Sequence, residues 1–174
     1  MTRAIRTRPR YRARSQSRGV ALPVVLMLSS MMLVTSAAWF ETSLASARGT
    51  ANTQSYLQAF HAADAALTLC AQMTLAETTT ALPDVAEEPE GWRRAATFEA
   101  GAQTPTAQWP GSLRPPQCLV EGWQLATRPD ARAWLITARG FGATLASQAW
   151  AQLMLVVDDG RTERRWRQVV ARPF

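Results

Sequence analysis

Twenty-one consecutive residues without a charge, positions 20–40 (VALPVVLMLSSMMLVTSAAWF), constrain this chain more than any other feature. As a helix rising roughly 1.5 Å per residue, the run is about 30 Å long, the thickness of a bilayer's hydrocarbon core. The whole chain has 174 residues, which leaves room for one modest domain beside the run. Ser29, Ser30, Thr35 and Ser36 do not forbid insertion, because their hydroxyls can bond back to the helix's own carbonyls. Pro23 falls in the first turn, where a missing N–H matters least, and Trp39 falls at the far end, where an amphipathic ring favours the interface.

Charge is distributed to match. The formal net charge of +6 at first sight invites nucleic acid. Seven of the nineteen basic residues, however, are Arg3, Arg6, Arg8, Arg10, Arg12, Arg14 and Arg18, all ahead of the apolar run. Downstream, twelve arginines face thirteen acids, a net of −1. A nucleic-acid-binding domain carries its positive charge on the folded body, so no nucleic-acid partner is expected. Basic residues flanking a span stay in the cytoplasm, which puts residues 1–18 there and the rest of the chain on the far side. A cleaved secretory signal is the competing assignment, with Ser36-Ala37-Ala38 as a weak processing site. Such signals have an apolar core of roughly 7–15 residues, shorter than this one, and the helical pattern here does not stop at the site.

The pattern in fact runs on. Tyr56, Phe60, Ala63, Leu67, Cys70 and Thr74 recur at spacings of three and four, one stripe of a helix, opposed by Gln54, Gln58, His61 and Ala65 with Asp64 on the flank. The prediction is one helix to about Leu75, apolar in residues 20–40 and amphipathic in 41–76, with Gly49 a point of local loosening.

These residues carry a resemblance. RGVALPVVLMLSSMMLV resembles the N-terminus of type IV prepilins, in which a basic leader ends in glycine and a hydrophobic helix begins. YLQAFHAADAALTLC resembles the AFQAAEAAL region of PilX-type minor pilins, and WLITARGFG with the alternating strand after it resembles the C-terminal end of that family. The resemblance implies a leader of residues 1–19, cleaved between Gly19 and Val20 by prepilin peptidase, and an N-methylated mature N-terminus. It implies a bacterial inner-membrane protein with a periplasmic domain, later incorporated into a pilus. The implied partners are other minor pilins, the major pilin, the inner-membrane pilus assembly machinery and the lipid bilayer. One departure matters: the fifth mature residue, Glu in major pilins, is Val24 here. Glu41 is no substitute, because it lies about 25 Å further along the helix. A minor pseudopilin of type II secretion is the rival within the same fold, since a tip subunit there also lacks that Glu. An uncleaved signal anchor and a membrane-anchored periplasmic binding module are the others.

Beyond the helix, prolines at 83, 89, 105, 110, 115 and 116 mark residues 77–116 as irregular, with a short helix near 92–98. The period then changes to two. Residues 118–125, 133–140, 147–157 and 164–171 read as strands of an antiparallel meander within 117–174, with turns at 129–130, 140–142 and 158–160. The expected class is α+β and pilin-like, one sheet face packed on the amphipathic half of the helix in two layers. Trp123, Trp134, Trp150 and Trp166 fall one per strand and read as packing residues rather than a sugar-stacking platform.

The two cysteines, Cys70 and Cys118, sit beyond the span, where oxidation is permitted. A Cys70–Cys118 disulfide would tie helix to sheet, worth on the order of 4 kcal/mol in the chain-entropy model; two free buried thiols are the alternative. His61 is the sole histidine, with Asp64 at i+3, and no GxSxG, CxxC or phosphate-binding glycine loop accompanies it. No catalytic residue, metal or cofactor is therefore expected, and Glu87, Glu88 and Glu90 read as solvated loop carboxylates.

Overall fold

A computed structural model describes Gly19 and residues 21–174; the arginine-rich leader 1–18 and Val20 lie outside the described residues. The chain divides into two compact units, Met1–Ala47 and Arg48–Phe174. Helix α1, Ala21–Leu75, contributes to both and passes Gly49 without interruption. It stops where Glu77 turns into the left-handed region (φ 57°) and the Thr78 N–H donates to the Met73 carbonyl, the six-to-one bond that satisfies a helix end.

The second unit is α+β. The last turns of α1 pack on a five-stranded sheet of order β1-β2-β3-β4-β5: Leu82–Val85, Gln117–Trp123, Arg132–Phe141, Gln148–Asp158 and Arg161–Val169. Strands β2 to β5 form the expected meander. The expectation of about four strands, all antiparallel, is corrected by β1, which lies inside the proline-marked segment and pairs parallel to β2. Its four residues, one of them Pro83, are too few and too irregular to show a period of two.

One face of the sheet meets α1 in a core of Ala63, Ala66, Leu67 and Cys70 against Val120, Ile136, Ala138, Ala151, Leu153 and Leu155. The opposite face is covered as well, which corrects the two-layer expectation. A 3-10 turn at Gly91–Arg93 and helix α2, Ala95–Gly101, lay Trp92 and Phe98 over Leu119, Leu135 and Trp150. The segment 77–116 is thus a lid with its own elements.

Turns follow the expected chemistry in one case and not in another. Asp159 and Gly160 both have positive φ (46° and 74°) and close a two-residue hairpin between β4 and β5. Gly140 lies in β3, as the strand expected over 133–140 has it, and the turn assigned to 140–142 begins only at Gly142. A Cβ at Gly140 would lie 2.0 Å from the Ala59 carbonyl oxygen and 2.4 Å from the Ala63 nitrogen, so glycine lets the α1 backbone rest directly on the strand. Close approach also explains which helix residues are buried. Ala59, Ala62 and Ala63 face the strand, while Tyr56, placed in the apolar stripe from its spacing, is exposed.

Candidate functional surfaces: a bare apolar helix and a stapled sheet

In the first unit, all twelve large apolar side chains from Leu22 to Phe40 are exposed, on every side of the helix. Leaving one such side chain in water costs about 1.5–3 kcal/mol relative to burying it, so twelve exceed the roughly 5–15 kcal/mol that stabilises a whole domain. The surface requires an apolar surrounding that this unit does not supply. Two of the four hydroxyls bond back to the helix: Ser30 donates to the Met27 carbonyl at 2.8 Å and Thr35 to the Met31 carbonyl at 3.0 Å. Among the described residues, α1 is the one helix long and apolar enough to cross a membrane. Val24 lies on it without a charged neighbour in the helix until Glu41.

In the second unit, Cys70 of α1 and Cys118 of β2 form a disulfide, both residues fully buried and their Cα atoms 6.6 Å apart. Cys118 also exchanges both backbone hydrogen bonds with Gln103 (2.7 and 2.9 Å). The staple therefore joins the helix, the sheet and the end of the lid. The bonded pair is the one predicted from there being two cysteines beyond the span.

Under the lid lies a polar layer that the sequence reading missed. Arg139 is buried, with its guanidinium 2.7 Å from Glu99 and its Nε–H donating to Gln117 at 3.1 Å. Four rings surround it, Phe98, Phe141, Trp150 and Phe174, with centres 4.9–5.7 Å away. Partly dehydrated cation–π contacts of this kind hold the lid and the C-terminal segment to the sheet. Glu121 is buried beneath the 3-10 turn and accepts from the Trp92 N–H at 3.3 Å. Burial pushes its carboxyl above the ordinary range, opposed by the Gly91 and Trp92 N–H groups and by Arg94. Further along, Gln152 donates to Thr137 at 2.8 Å and accepts from Arg167 at 2.7 Å, and Arg167 in turn pairs with Glu88. The two-layer expectation left without cover the sheet face on which Glu121, Thr137, Arg139 and Gln152 lie. The signal that this face was covered was the presence of Trp92 and Phe98 in the proline-marked segment.

The remaining candidates lie apart. His61 and Asp64 are both exposed on α1, with no hydrogen bond between them. Glu88 and Glu90 form exposed ion pairs with Arg167 and Arg93. Among the described residues no three metal-ligating side chains gather. Strand register divides the tryptophans: Trp123 and Trp150 share the face opposite α1, with Trp150 under the lid, and Trp134 and Trp166 lie on the α1 face, so they make no single platform. Against protein families, curated proteins and solved structures, the chain has no match.

Proposed function

We propose that this chain is a membrane-anchored assembly subunit of pilin-like architecture. Its apolar helix holds it in the bacterial inner membrane as a single pass, residues 1–18 in the cytoplasm and the disulfide-bonded unit in the periplasm. In particular, it is a minor pilin of the PilX type. Prepilin peptidase cuts between Gly19 and Val20, and the subunit enters type IV pilus assembly and initiation with other minor pilins, the major pilin and the inner-membrane machinery. Its role is structural and not enzymatic.

The observation that carries this reading is the bare helix of the first unit, continued by a helix stapled to a sheet. A helix that is apolar all round suits lipid first and the interior of a helical bundle later. Val24 sets the stoichiometry. A repeating subunit without a carboxylate at that position leaves its neighbour's terminal ammonium unpaired in an apolar bundle, which costs several kcal/mol per joint. One subunit at an end avoids repeating that defect, so the protein starts fibres that a Glu-bearing subunit extends. Deleting the gene tests this: surface pili should fall sharply while membrane levels of the major pilin stay normal. Unchanged piliation, or long filaments of this chain alone, would contradict it.

A further inference from the structure

The two edges of the sheet are built differently. β1 has four residues, carries Pro83, pairs with β2 through a shifted register and is followed by Pro89. Shortness, proline and irregular pairing are the devices that stop an edge from accepting another strand. β5 has none of them. Its nine residues contain no proline, pair with β4 without a bulge from Arg161–Asp158 to Val169–Trp150, and leave their outer side unpaired. All but the last are exposed.

Positive charge is the one guard on this edge. Arg161 and Arg165 project on the lid face, Arg164 on the α1 face. None of the three is in an ion pair among the described residues, whereas Arg167 is held by Glu88 and Glu163 by Arg128. Beside Arg164, Trp166 stays 47% exposed although its ring rests edge-on against Phe60, centres 6.0 Å apart. An edge guarded only by arginine repels basic strands and its own kind, and attracts acidic ones.

We propose that the free edge of β5 takes an extended, carboxylate-bearing segment of another protein by strand addition. The backbone of β5 supplies the ladder, Arg161 and Arg165 meet acids that fall on the lid face, Arg164 meets acids that fall on the α1 face, and Trp166 gives an apolar contact. A second copy of the chain is a poor occupant, because β5 against β5 sets arginine against arginine. The proposal does not depend on the pilus reading.

The test uses the full chain in detergent micelles and a labelled ten-residue peptide of alternating Thr and Glu. Three comparisons accompany it: the Thr/Lys counterpart, the Thr/Glu peptide N-methylated at every second amide, and the double variant Arg164→Glu, Arg165→Glu. Fluorescence anisotropy should show binding of the Thr/Glu peptide alone. N-methylation should weaken it by about tenfold or more, since methyl groups block the ladder while leaving the charge, and the double variant by a similar factor. Retention of the wild-type melting temperature would show that the variant's loss is local. Failure of the Thr/Glu peptide to bind, equal binding of the Thr/Lys peptide, binding that survives N-methylation, or self-association through β5 in sedimentation would each overturn the proposal.

Discussion

Residues 21–47 and 48–75 belong to one helix but answer to different surroundings. In the first stretch large side chains cover every side, none is buried, and the Ser30, Thr35 and Thr42 hydroxyls bond to their own backbone. In the second, buried residues recur at 59, 62, 63, 66, 67, 70, 71 and 74, five of the eight alanine, and the contact is close enough to require glycine in the facing strand. Size separates the two more than hydrophobicity does. Leu and Met supply surface for a medium without fixed shape, whereas Ala fits a partner that has one. A helix that is apolar enough to cross a membrane and also docks closely on a sheet divides the two characters along its length.

That division can be broken from either side. The largest effect is expected from two charges in the first stretch. Leu28→Arg with Met32→Arg should cost about 5–7 kcal/mol of insertion free energy on translocon scales, seen as loss of the carbonate-resistant membrane fraction. The second unit should remain folded and oxidised. Conversely, Cys70→Ser or Cys118→Ser should leave membrane retention unchanged and remove about 2–5 kcal/mol of stability from the sheet unit, read as a lowered melting temperature. Alkylation of both thiols in the native protein without reductant would remove the staple from the account. Gly140→Ala should follow at about 1–3 kcal/mol, because the new methyl must displace the helix backbone. No change in melting temperature there would refute the direct contact.

The smallest effect is a pH dependence under the lid. Burial raises the Glu121 carboxyl above its unfolded value, so the folded state keeps this proton at a pH where the unfolded state has lost it. Its contribution to stability is fully present below the unfolded value, about 4.3, and is lost as pH rises through the folded one. Glu163, held low by Arg128 on the surface, works in the opposite sense: its contribution is present above the unfolded value and lost on acidification. The difference between wild type and Glu121→Gln isolates the first effect. Raising the pH from about 4 to 7 should shift that difference in melting temperature in favour of the Gln variant. A constant difference would mean that Glu121 titrates normally.

What was legible in the sequence was what leaves a period. The apolar run, the helix to Leu75 and strands β2 to β5 each repeat over many residues, and their bounds fell within three residues of those observed. The cysteine pair was legible because two thiols beyond the span allow one intramolecular bond. In the lid, the short helix expected near 92–98 is there as the 3-10 turn and α2, but its packing on the sheet and the strand β1 were not legible, because elements of three to seven residues are too short to show which face they bury and their prolines read as loop. That error hid the buried side of the sheet. Arg139 and Glu121 fall on the face that the two-layer expectation leaves uncovered, and the aromatic rings brought from elsewhere make it interior. The GFG segment misled for a related reason: glycine signals a turn or a close approach equally, and the sequence names no neighbour.

The central claim is that the apolar helix begins life as a processed anchor, and the N-terminal sequence of protein extracted from membranes tests it most directly. The account predicts a mature chain starting at Val20, with a methylated amine, recovered from the membrane fraction and lost when Gly19 is replaced by Leu. A membrane-bound chain that still begins at Met1 would make the helix an ordinary anchor, and a soluble chain cut after Ala38 would make it a secretory signal. Either result would contradict the assembly role.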